Sequence, residues 1–288
     1  MPPIDPTLRI RLVQLAVGDL AHSADFYERV LGLPLIARED HRAQLGTDPG
    51  RPALVLSDIA DPTPVPPGST GLYHVAWLHP SRAALAASVR RVVGAGWLLE
   101  GGSDHGVSEA LYLSDPDGLG IELYADRPRE QWERSADGRG VNMVTLPLDL
   151  DDLLAQSTEE PAPAMEPGTA VGHVHLKVSD VPRAASFYRD ALGFEERAQL
   201  PSAAFLAAGG YHHHVGLNSW QSRGAAAAPE SAPGLRLVEL ELGDAGALQA
   251  LERALAELPS GPPVSRAGDG GLLLRDPDGQ ALAFAHAT

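Results

Sequence analysis

Apolar residues in IRLVQLAV, residues 10–17, alternate with polar ones in the manner of a half-buried strand. Asp19 is placed to cap a following helix, which the spacing ends at Gly32. Polar turns and short strands continue to about Asp58. After the Pro-rich loop DPTPVPPG a new strand is predicted at Leu72–Ala76 and a helix over about Ser81–Val93. Further strands are predicted around Trp97–Leu99, Ala110–Leu113 and Gly120–Tyr124. Each stretch thus reads β-α-β-β-β. The second half predicts the same order twice more, from Val171 to about Trp220 and from Leu235 to about Ala285.

The two halves are copies of one another. RLVQLAVGDLAHSADFYERVLGL (Arg11–Leu33) reads again as GHVHLKVSDVPRAASFYRDALGF (Gly172–Phe194), with Phe26-Tyr27 falling on Phe187-Tyr188 and Gly32 on Gly193. The tetrapeptide DPDG recurs at Asp115–Gly118 and Asp276–Gly279 with the same offset of 161. One offset shared by distant segments means that the whole half is duplicated. The expected organisation is an N-terminal domain over 7–126, a connecting segment over 127–169 and a C-terminal domain over 170–288. Within the connection, QSTEEPAPAMEPG (Gln156–Gly168) is acidic and Pro-rich and reads as a linker. Arg223–Pro233 reads as a second flexible loop.

Composition narrows the chemistry. The 288 residues carry 22 Lys+Arg against 38 Asp+Glu, a net charge of −16 that argues against a nucleic-acid partner. A 44% hydrophobic content is that of a globular protein with room for two cores. No apolar run approaches the roughly 18–20 residues of a membrane span. The start MPPIDPTLRI has neither the basic residues nor the apolar stretch of a signal peptide, so a cytoplasmic protein without a membrane association is expected. There are no cysteines, so a metal would have to be held by His and carboxylate.

Four β-α-β-β-β units, with His on a first strand and DPDG followed by Glu on a last hairpin, resemble the vicinal oxygen chelate superfamily. That group includes glyoxalase I, fosfomycin- and bleomycin-resistance proteins and extradiol ring-cleaving dioxygenases. The resemblance covers nearly the whole chain and implies an α+β fold: two tandem domains whose curved mixed sheets close around a metal cleft. It also implies where ligands fall. The family's first-strand ligand lies seven residues before the helix cap, which gives His173 before Asp180 but Leu12 before Asp19. His74 holds the corresponding place in the second unit, with Leu235 as its partner in the fourth. Glu122 follows DPDG at the family's spacing, with Ala283 as its partner. The remaining position falls within Tyr211-His212-His213-His214, where His214 has Ala53 as its partner. Units two and three therefore hold every implied ligand, and units one and four hold only apolar residues. Half a site binds a divalent ion poorly. Units two and three are expected to pair across the domain boundary and build one site for one divalent ion per chain.

The second unit also resembles the extradiol dioxygenase signature, with Asp104-His105, GVSEA, Leu111-Tyr112, DPDG and Glu122 in order and only Ser103 departing from the usual residues. Two His and one carboxylate suit Fe(II), with Mn(II) as the next choice. The implied partners are O2 and a small aromatic diol, a catechol or hydroquinone-like ring; a homodimer is left open. The run 212–214 resembles the family's acid/base His pair. If it is strand, His212 and His214 share a face; His214 is favoured as catalytic, with His213 the alternative should a bulge reset the register. Tyr112 and His105 are expected to donate hydrogen bonds to bound oxygen or to the substrate oxyanion. Blander readings exist: DPDG by itself is a tight hairpin turn, Tyr112 fits a strand core, and three consecutive His fit a surface patch. Two rival functions remain, a glyoxalase-like Ni or Zn site performing proton transfer and a non-catalytic protein that sequesters an aromatic antibiotic.

Overall fold

A computed structural model describes residues 2–135, 138, 140–157, 163–259, 261–267 and 270–287. The predicted linker thus lies partly, at 158–162, outside the described residues. The first unit comprises β1 (Arg9–Val17), helix α1 (Leu20–Asp25), β2 (Leu35–Glu39), β3 (Arg42–Leu45) and β4 (Leu54–Asp58). The second comprises β5 (Gly71–His79), α2 (Arg82–Gly94), β6 (Gly101–Asp104), β7 (Ser108–Ser114) and β8 (Gly120–Asp126). A short strand β9 (Leu146–Pro147) and helix α3 (Leu150–Ala155) precede the third unit, β10 (Ala170–Lys177), α4 (Val181–Ser186), β11 (Glu195–Leu200), β12 (Ala203–Ala207) and β13 (Val215–Asn218). The fourth unit is β14 (Gly234–Leu242), α5 (Ala245–Glu257), β15 (Ser265–Arg266), β16 (Leu272–Arg275) and β17 (Ala281–His286).

Local chemistry explains the helix starts. Asp19, Ser81, Asp180 and Asp244 sit in extended conformation, and each side chain accepts from a backbone N–H three residues on. α1 and α4 both continue into a π-helical turn, Phe26–Val30 and Phe187–Ala191, and Gly32 and Gly193 then take a positive φ. An L side chain resists that backbone, which is why the helices stop there. Trp97–Leu99 is not a strand as expected. The Trp97 indole donates to the Ser114 carbonyl and its ring packs on Phe26, so hairpin pairing begins only at Glu100, whose N–H donates to Tyr112.

The strands form two sheets. One runs β15-β16-β17-β14-β1-β4-β3-β2 and the other β11-β12-β13-β10-β5-β8-β7-β6-β9. Units one and four share the first sheet through the antiparallel pair β1–β14, and units two and three share the second through β5–β10. This is the pairing that the distribution of ligand residues demanded. Each half of the chain therefore contributes one unit to each sheet.

DPDG joins the sheets within each half. Asp115 Oδ1 accepts from the Asp117 and Leu119 amides, which closes the turn, and its Oδ2 accepts from the Tyr27 hydroxyl at 3.1 Å. Asp117 reaches back to the Gly18 amide at 3.1 Å. The copy repeats this: Asp276 accepts from Asp278, Gln280 and Tyr188, and Asp278 accepts from the Ser179 amide and hydroxyl. The turn of the second unit thus latches the helix of the first, and the turn of the fourth latches the helix of the third. Among the described residues no helix is long and apolar enough to cross a membrane.

Candidate active site

β5 and β10 lie side by side with His175 opposite His74 and Ala76 opposite His173. β8 runs parallel to β5 and sets Glu122 beside Ala76, while β7 sets Tyr112 beside Glu122. The period-two alternation of strands turns His74, Glu122 and His173 to one face. His74 Nε2 lies 2.9 Å and His173 Nε2 3.1 Å from the same oxygen, Glu122 Oε2. All three side chains are buried, at 5%, 3% and 1% exposure. Gly172 makes this approach possible, because a Cβ there would lie 1.8 Å from the hydroxyl of Tyr124, whose ring packs on His173 at 4.9 Å.

The electrostatics suit a cation. Burial pushes the His173 imidazole down to about 4, against the pull of Glu122, so at neutral pH it is uncharged and offers a lone pair. Burial alone would raise the Glu122 carboxyl, but the two imidazoles of His173 and His74 packed against it outweigh that and hold the group well below the usual range. His74 Nε2 is buried with no hydrogen-bond partner despite its nearness to Glu122. A buried nitrogen left unsatisfied beside a carboxylate, with donor atoms of all three residues within 4.8 Å of one another, fits a divalent ion held by two imidazoles and one carboxylate. Among the described residues this is the one group of three so placed. The corresponding strands of the other sheet bury Leu12 and Leu235, and cross-strand pairs Arg9–Glu241 and Arg11–Glu239 lie beside them.

One side of the trio opens onto a cavity of about 320 Å³. Tyr73, Phe205 and Trp220 supply aromatic walls, and Trp220, 51% exposed, stands at the mouth. Tyr112 and His105 both line it. His105 Nδ1 donates to the Val144 carbonyl at 2.7 Å, since a carbonyl only accepts. With its N–H placed on Nδ1 by that bond, the ring accepts at Nε2 from the Tyr112 hydroxyl at 2.7 Å. That differs from the expectation that both residues donate into the cavity: in this state the phenolic proton is committed to His105. Burial raises the phenol well above its ordinary range, so it stays protonated.

The His run differs from its prediction. Residues 211–214 are not strand; β13 begins at Val215. Gly209 and Gly210 both have positive φ and turn the chain just before the run, and a Cβ on Gly209 would strike the Pro6 carbonyl at 2.1 Å. Strand alternation consequently does not apply. His214, the favoured residue, is not among the cavity lining; its Nδ1 accepts from the Ala208 amide and burial holds it at about 3. His213 does line the cavity, with its ring 4.0 Å from that of His173.

Two features escaped the sequence. In register, the strand position that matches Glu122 is Gly216, beside His175 as Glu122 is beside Ala76, not a member of the His run. The His175 ring occupies the space that a Gly216 side chain would need, at 2.9 Å from its Cγ, and His175 lines the cavity with Nε2 buried and unpartnered. The signal was the alternate-residue pair His173-Val174-His175. The second feature is the connecting segment. Met143, Val144 and Thr145 wall the cavity and β9 extends the sheet beside β6, so this stretch is part of the site. Trp132, without a role in the sequence, packs on Tyr211 and His212.

The chain belongs to the Glyoxalase/Bleomycin resistance protein/Dioxygenase superfamily, whose family model matches residues 9–123 and 170–284. A relative from Bacillus subtilis (strain 168), catechol-2,3-dioxygenase, is 42% identical over 238 residues, covering 82% of this chain and 83% of its own. By this relationship the chain is a dioxygenase-type enzyme. The structure of a putative dioxygenase from Bacillus subtilis superposes over 99% of this chain and 86% of its own, with a TM-score of 0.65 at 15% identity. Glyoxalase I from Zea mays superposes over 96% of this chain and 92% of its own, with a TM-score of 0.58 at 18% identity. At such identities these two likenesses concern the fold.

Proposed function

We propose that this chain is an extradiol-type ring-cleaving dioxygenase that inserts both atoms of O2 into a catechol or hydroquinone-like ring. His74, Glu122 and His173 would hold Fe(II) or, as second choice, Mn(II), one ion per chain. Such an ion, when bound, brings diol and O2 together and passes electron density between them. The observation that carries the reading is the buried His-His-Glu trio opening on one side into a 320 Å³ cavity. That volume is at the lower end of the roughly 300–1,000 Å³ range of small-ligand sites and suits a single substituted ring.

The chain's own groups then have distinct tasks. Tyr73, Phe205 and Trp220 sandwich the ring and exclude water. A diol must shed protons to chelate a cation, and uncharged His213 takes one at Nε2 as general base; burial and its His neighbours hold this imidazole well below its ordinary range, so it meets the substrate uncharged. Tyr112, with His105 behind it, orients the substrate oxygens through its hydroxyl. A glyoxalase-like site with a second carboxylate is disfavoured by Gly216, which supplies no side chain where Glu122 has its counterpart.

The test is oxygen uptake with a panel of catechols after anaerobic loading with Fe(II) or Mn(II). Uptake matched mole for mole by a visible-absorbing ring-fission product is expected. Tight binding of an aromatic without uptake would favour sequestration, and isomerisation of a thiol adduct with Ni(II) or Zn(II) would favour the glyoxalase chemistry.

A further inference from the structure

Asp126 is the last residue of β8, four beyond Glu122 and therefore on the same strand face. Its Oδ1 lies 2.9 Å from His212 Nε2, and His212 Nδ1 lies 2.8 Å from His213 Nδ1. His212 is fully buried, with its ring against Tyr211 at 4.1 Å and Trp132 at 5.4 Å. We propose that Asp126 and His212 are positioning residues that fix the tautomer of His213, leaving its Nε2 unprotonated toward the cavity. The proposal rests on the reading of His213 as the proton acceptor.

The wiring follows from one asymmetry. A carboxylate has no proton, so it only accepts, and His212 Nε2 must carry the N–H that faces Asp126. On this proposal His212 is an imidazole with this single N–H, so that its Nδ1 keeps its lone pair. In the contact between the two Nδ1 atoms one must donate, and only His213 has a proton to give there. His213 Nδ1–H therefore points at His212, and the lone pair of His213 is left on Nε2. Asp126 is itself held in place: the Tyr211 hydroxyl donates to the same Oδ1 at 3.2 Å, and Tyr124 donates to Tyr211 at 2.8 Å. Tyr124 also packs on His173, so one set of contacts anchors both the relay and the trio. An acceptor-only group behind an imidazole is the device by which a carboxylate sets the tautomer of a catalytic His. Here it acts through a second imidazole.

Nitrogen-15 NMR of the metal-free protein reads the protonation of His213 Nε2 directly, independently of turnover. The wild type should show Nε2 bare. His212→Leu should lose that preference and give a mixture of tautomers. Since Gln presents a carbonyl to His213 and an N–H to Asp126, His212→Gln should restore it. In the loaded enzyme His212→Leu should lower kcat by about 10–100-fold, no more than the lower end of the roughly 10²–10⁴-fold that a general base supplies, with KM and metal content unchanged, and His212→Gln should recover most of that loss. Asp126→Ala, at the partly exposed end of the relay, should also give mixed tautomers, and it provides the same test should His212→Leu misfold. A protonated His213 Nε2 in the wild type, or an unaltered tautomer in both His212→Leu and Asp126→Ala, would overturn the proposal. Should the tautomers behave as expected while His213→Ala turns over normally, the positioning stands and the acid/base reading fails.

Discussion

His173 reaches Glu122 Oε2 from β10 while Glu122 holds that oxygen from β8, so neither can be replaced by a neighbour. His173→Ala or Glu122→Ala should therefore abolish stoichiometric metal uptake, measured by elemental analysis after dialysis. Tyr112 touches the cavity without facing the trio's shared oxygen. Tyr112→Phe should keep full metal content and lose up to about 10-fold in kcat, the scale of one lost hydrogen bond with a substrate oxygen. The adjacent histidines separate cleanly at this scale. His213→Ala should remove most turnover, whereas His214→Ala, which deletes a side chain bonded to the Ala208 amide, should act mainly on stability. Equal kinetic losses from both would contradict the geometry around the Gly209-Gly210 turn.

Among the elements, the DPDG turns bind helix to hairpin as well as reversing the chain. Burial raises the Asp115 and Asp276 carboxyls to about 6 from 3.8. The folded chain thus holds these protons more tightly than the unfolded one. Their stabilising contribution is complete below about 3.8 and is lost as pH rises through about 6. Urea unfolding between pH 4 and 7 should show this falling component, at most about 3 kcal/mol per site, and Asp115→Asn/Asp276→Asn should flatten it relative to wild type. A difference curve with the opposite slope would refute the assignment. The elements also show what local pattern conveys. The caps at Asp19 and Asp180, the helix starting at Ser81 and the alternation in β1 follow from neighbours within a few residues and were readable from the chain. The strand predicted at Trp97–Leu99 was not found, because a contact with Phe26, far off in sequence, draws Trp97 away from pairing.

Across the whole molecule, each sheet takes one unit from each half. A fragment ending at 126 would carry His74 and Glu122 without His173, and should bind no metal until mixed with the complementary half; calorimetry of the separate and recombined halves checks this. The apolar sheet gives the matching control. Leu235→Ala should cost about 2–5 kcal/mol by leaving a cavity and leave metal content untouched.

The duplication and the order of units were legible in the chain, since repeats are properties of residues in line, and the resemblance to the family then picked out the His-His-Glu set. Complementary losses in the two copies, Leu12 and Leu235 against His173 and His74, even implied which units must meet. Register and approach were decided by the tertiary structure. A turn at two left-handed glycines put His213 rather than His214 into the cavity, and strand pairing set Gly216 opposite Glu122 and made room for His175. The fold also brought Asp126 to His212 across 86 residues. Such contacts depend on where distant backbones cross, and no local period encodes that crossing.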